Sequence, residues 1–195
     1  DVALELPLES PETLQLEINV RPVLSAVGYA PLPITLRELG GELHWQQVGQ
    51  AHALTGDLSS QWQGGDLRAT FLADERIALE GSVATSALWS LASVPAEQAR
   101  QIIDGSTPWQ GEVTLTPSPV VTLQSRLLGV MSELPEPFAK RSEEAWPLQL
   151  RAELASGRTS VELADKLVAK VHSLEGGAQA GQVALGSAVS RSGWP

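Results

Sequence analysis

The chain has 195 residues, enough for one large domain or a slice of a repetitive one, and its 13 Lys and Arg against 23 Asp and Glu give a formal charge of −10. Such a surface repels phosphate backbones and nothing concentrates the few basic residues, which argues against nucleic-acid binding. Cysteine is absent, which rules out disulfides and thiolate metal sites.

In chain order, period-two alternation dominates, and each alternating run predicts a strand with one wet and one dry face. Leu4, Leu6 and Leu8 alternate with Glu5 and Pro7, then Leu14, Leu16, Ile18 and Val20 alternate with Gln15, Glu17 and Asn19. A short helical turn is expected after Arg21-Pro22, through Val23, Leu24 and Val27 to Gly28. Leu43 and Trp45 sit between Glu42, His44 and Gln46. Leu54, Leu58 and Trp62 follow, then Leu67 and Phe71, then Ile77, Leu79 and Val83. Gly64-Gly65 and Asp74-Glu75 are hairpin-sized breaks, so these neighbours are expected to pair antiparallel.

From Ser86 to Asp104 the spacing turns helical, with Leu88, Leu91, Ala92, Ala99, Ile102 and Ile103 three or four residues apart. Ser93 is a candidate N-cap, Pro95 and Glu97 suit a first turn, and Gly105 suits a stop. Two short helices over residues 86–104 are therefore expected, as an insertion at one end or edge of the sheet. Strands resume with Trp109, Val113 and Leu115, then Val121 and Leu123, separated by Pro117-Ser118-Pro119. Leu134-Pro135-Glu136-Pro137 interrupts pairing, because proline lacks the N–H that a ladder needs. Trp146-Pro147-Leu148-Gln149-Leu150-Arg151 restarts it. Residues 160–174 fit either two strands turning at Asp165 or one helix through Leu163, Leu167, Val171 and Leu174.

No catalytic constellation stands out. His44, His52 and His172 are the three histidines. The first two flank one hairpin and could approach each other, but no third ligand stands at a zinc-like spacing. Serine is abundant, yet no Gly-x-Ser-x-Gly elbow is present. Gly176-Gly177-Ala178-Gln179-Ala180-Gly181 lacks the second glycine of a dinucleotide loop and suits a turn. Asp74-Glu75 and Glu143-Glu144 suit a solvated surface. No cofactor or metal and no enzymatic activity is expected. The six Trp exceed two Phe and one Tyr. Trp45, Trp62 and Trp109 share strand parity with Leu and Val, which places them on the dry face rather than on an exposed sugar platform.

The uniform dry face fits two architectures. A closed sandwich would bury it against a second sheet, and a single curled sheet would leave it lining a groove. The scarcity of helix to cover so many strands leans toward the curled sheet. In that reading the groove wall comprises Leu14, Leu16, Ile18, Leu43, Trp45, Leu54, Leu58, Leu67, Phe71, Leu79, Val83, Val113, Leu115, Leu148 and Leu150. A sandwich binding carbohydrate or a protein through exposed Trp is one alternative, and a purely structural spacer is another.

Residues 125–140, Ser-Arg-Leu-Leu-Gly-Val-Met-Ser-Glu-Leu-Pro-Glu-Pro-Phe-Ala-Lys, together with the Pro-Leu strand that follows, resemble the YhdP-like periplasmic region of the AsmA-like family. Leu36 to Trp45, and Leu79 to Val83 running on to Leu115, follow the same order. Arg126 stands where that pattern suggests an acidic or amide residue. The resemblance implies a mainly β fold, an antiparallel, strongly twisted and curled sheet forming an apolar groove, and it favours the two-strand reading of 160–174. It also implies that residues 1–195 are one fragment of a longer periplasmic protein with an inner-membrane anchor upstream. The expected cargo is phospholipid, held by its acyl chains and carried between inner and outer membranes through components outside this segment. Unpaired edge strands would further expose the fragment to edge-to-edge self-association.

Overall fold

The computed structural model describes residues 2–5, 15–29, 34–49, 51–62, 64–87, 102–173 and 179–186. They form a single 14-stranded sheet in which every pairing is antiparallel. The first half comprises β1 (Val2–Glu5), β2 (Gln15–Val20), β3 (Val23–Tyr29), β4 (Ile34–Val48), β5 (Ala51–Trp62), β6 (Gly65–Leu72) and β7 (Arg76–Ala84). The second half comprises β8 (Ile103–Thr114), β9 (Val120–Ser125), β10 (Val130–Ser132), β11 (Leu148–Glu153), β12 (Arg158–Leu163), β13 (Leu167–Ser173) and β14 (Gln179–Leu185). The spatial order is β1-β2-β4-β5-β6-β7-β8-β9-β11-β12-β13-β14, with β3 on β4 and β10 on β8. β6 and β7, β11 and β12, and β12 and β13 are neighbours in space because the breakers at 73–75, 154–157 and 164–166 are turns too short for a crossover. The described residues thus form one open sheet, not the two packed layers of a sandwich.

One expectation of helix is overturned and another is corrected at one end. Val23, Leu24 and Val27 lie in β3, which pairs with β4 from Val23↔Gly40 to Tyr29↔Ile34. Arg21 and Pro22 interrupt β2/β3, a two-part partner for the long β4, and the unpaired break needs no helix. The helical insertion is corrected at its C-terminal end, where Ile103 and Asp104 open β8 and pair with Ser132 and Met131. There the pull of the β10 ladder outweighs helical spacing. At its start a helical turn covers 85–87, and residues 88–101 lie outside the described residues. For 160–173 the two-strand reading holds, with β12 and β13 joined by a turn at 164–166, and Leu174 lies outside the described residues.

Packing is concentrated at one place. Val83 and Val130, 8% and 5% exposed, are the buried hydrophobic residues among those described. Val83 faces Thr107 across β7 and β8, Val130 faces Gly105 across β10 and β8, and Thr85 Oγ1 donates to the Gly105 carbonyl. The segment that leaves the sheet after β9 returns through β10 and a bridge from Ser132 to Lys140, which closes this small core. No described side chain is fully buried, even there.

Candidate functional site

The register converts strand parity into continuous rows. One row runs Gly41–Leu58–Ala69–Leu79–Gly111–Leu123–Leu150–Val161–Ala169–Val183, one residue per strand from β4 to β14. Beside it runs Val20–Leu43–Gly56–Phe71–Ile77–Val113–Val121–Ala152–Thr159–Val171. A third row links Ser60, Leu67, Gly81, Trp109, Ser125, Leu148, Leu163, Leu167 and Leu185. All three lie on one face, and their large apolar members are half-buried or, at Val20, Val183 and Leu185, exposed. That face carries an apolar band running from β4 to β14.

The expected wall residues fall on this face with two exceptions. Leu16, Ile18, Leu43, Trp45, Leu54, Leu58, Leu67, Phe71, Leu79, Val83, Val113, Leu148 and Leu150 share it by register. Leu14 lies outside the described residues, and Leu115 falls just beyond β8, where its N–H donates to the Glu75 carbonyl. The wall also includes Leu123, Val161, Leu163, Leu167, Val171, Val183 and Leu185. Those of β12 and β13 were missed because their apolar spacing also fits a helix. Beyond Ile18, Trp45 and Leu54 the band becomes polar, since Leu16 is followed across the ladder by Gln47 and His52.

The aromatic residues reach across the strands. Trp62 on β5 and Trp109 on β8 are three strands apart, about 14 Å on a flat sheet at the usual strand spacing. Their rings nevertheless meet edge to face at 5.9 Å. Trp109 lies over Gly81, where an added Cβ would stand 3.1 Å from the Trp109 ring and collide with the Asp66 carbonyl oxygen. The missing side chain gives the indole its path across the sheet. Both indole N–H groups are buried with no acceptor among the described residues.

The opposite face is polar and holds two clefts of about 1040 and 510 Å³, lined chiefly by residues of polar parity such as Arg68, Glu80, Gln110 and Gln124. Thr70 donates to Asp57 at 2.6 Å there. Arg76 reaches Asp74 at 2.7 Å and Glu112 at 3.1 Å, and its pKa is raised first by the hydrogen bond to Asp74. His44 and His52 do not meet. They take opposite faces, with His44 Nδ1 2.8 Å from Asn19 Oδ1 and His52 Nε2 3.7 Å from Glu75. Among the described residues no group of three or more His, Asp or Glu could hold a metal ion.

A family model described as YhdP protein matches residues 1–194. No curated protein and no solved structure matches the chain.

Proposed function

The chain belongs to the YhdP family of bacterial envelope proteins, and on that premise we propose that it is a segment of a periplasmic bridge that conducts phospholipid between membranes. One observation carries the proposal. An apolar band crosses ten successive strands, from β4 to β14, and among the described residues its large side chains keep part of their surface open. A self-contained domain would bury such a band in its own core.

The energetics suit a conduit. Each acyl CH₂ that leaves water for the band gains about 0.8 kcal/mol. Leu79, Leu123 and Leu150 offer similar surface on successive positions of one row, with the small Gly111 between two of them. A chain moving from strand to strand therefore exchanges equivalent contacts, and the barrier between positions stays low. The acidic, polar outer face keeps the same body hydrated. Under this reading the protein is periplasmic and anchored in the inner membrane by another part of the chain, and it performs no chemistry on its cargo.

The test is lipid extraction from protein purified without detergent, followed by mass spectrometry. Wild type and the polar-face changes Glu80→Gln and Glu112→Gln should retain phospholipid. Leu58→Asp and Leu79→Asp should lose about tenfold or more, because a carboxylate against acyl chains costs several kcal/mol. Circular dichroism must show both variants folded. Folded Asp variants that retain lipid like wild type would defeat the proposal, and a lipid-free wild type would favour a structural spacer.

A further inference from the structure

The polar face carries a feature that lipid conduction does not use. Ser59, Arg68, Glu80, Gln110, Gln124 and Gln149 form one uninterrupted cross-strand row from β5 to β11, each directly opposite the next. All six line the cleft of about 1040 Å³. Its neighbour of about 510 Å³ shares Arg68, Glu80, Gln110 and Gln124, so the hollow continues along the strands. Five interstrand steps make the row about 24 Å long.

We propose that this row is a binding site for a neutral, hydroxyl-rich glycan strand. The main chain of these strands is already committed to the ladders, so recognition falls to side chains. Each glutamine amide offers both donors and an acceptor, and a sugar hydroxyl is likewise donor and acceptor at once. Three amides in direct succession can therefore satisfy consecutive hydroxyls without any charge on the ligand. The charges present cancel or repel anions. Arg68 and Glu80 pair at 3.6 Å, and of the other lining charges Glu38 and Asp66 outnumber Arg126. A phosphate would meet more carboxylate than guanidinium there, and the length of the row suits several linked sugars rather than one. Because the row has polar parity, glycan and acyl chain would occupy opposite faces of one sheet, and neither would exclude the other.

The test is calorimetric titration of the 195-residue chain with chitotetraose, with inorganic phosphate as a second probe. Gln110 and Gln124 are exposed, so Gln110→Leu and Gln124→Leu should leave the fold intact. Chitotetraose should bind wild type and Gln46→Ala, a change on β4 outside both clefts, with equal affinity. Each Gln→Leu variant should bind about fivefold or more weakly, the loss expected for one neutral hydrogen bond. No binding at millimolar chitotetraose, equal binding by the variants, or displacement of the sugar by phosphate would each overturn the proposal. None of these outcomes bears on the lipid reading, which is tested on the other face.

Discussion

Lys140 is 6% exposed, yet it lies in a segment rich in acidic and proline residues. Its Nζ donates to the Val130 carbonyl at 2.7 Å and to the Arg141 carbonyl at 3.0 Å, and it stands 5.9 Å from the Trp146 ring. Lys166 reaches the same ring at 4.4 Å, so Trp146 joins the loop to the turn between β12 and β13. Burial lowers the Lys140 pKa, with Glu144 and Glu143 opposing that shift. The sign for stability follows. A cation whose folded pKa is lowered binds fewer protons folded than unfolded, so its contribution rises as pH climbs from the folded value toward the ordinary 10.5. Lys140→Met should abolish that alkaline rise in urea unfolding. At neutral pH it should cost about 1–2 kcal/mol, because the Val130 carbonyl loses its donor. An unchanged unfolding midpoint would show that the loop is held by other contacts. Gly81 makes a second case, since Gly81→Val would drive the Trp109 ring off its neighbour. The thermal midpoint should fall and the tryptophan fluorescence should shift red.

At the scale of elements, β4 shows where sequence reasoning stops. Leu43 and Trp45 have odd numbers and Leu36 an even one, so strict alternation would put Leu36 on the wet face. The structure restores it with a bulge between Arg37 and Gly40, where Glu38 takes φ 54°. Leu36 then faces Trp62, and Gly41 faces Leu58, on the same apolar side. Nothing in the run Leu-Arg-Glu-Leu-Gly-Gly marks which residue is extra, because a bulge is fixed by the partner strand. A left-handed conformation costs a non-glycine residue about 1–2 kcal/mol. Glu38→Gly should recover about 1 kcal/mol of this in denaturant unfolding, whereas Glu38→Val should lose stability. The period-two runs were otherwise legible, and turns at Gly64, Asp74 and Gly157 fixed most neighbours. β3 and the start of β8 were not legible, since residues there combine helical spacing with pairing supplied by β4 and β10.

At the scale of the molecule, the sheet holds one small core near Val83 and Val130 and otherwise leaves its apolar band half-open among the described residues. Alternation along each strand revealed which residues share a face. It could not reveal whether a second layer covers that face, because a sandwich and an open sheet demand the same pattern. The polar row from Ser59 to Gln149 was hidden for a related reason, as its members look like ordinary solvated positions until register aligns them. The central claim, that hydrocarbon enters the apolar band, is tested most directly by site-specific photo-crosslinking to phospholipid. A photoreactive residue at Leu79, Leu123 or Leu150 should form lipid adducts, while one at Glu80, Gln124 or Arg151, a single residue away on the other face, should form none. Equal labelling of both sets, or labelling of neither, would contradict the account.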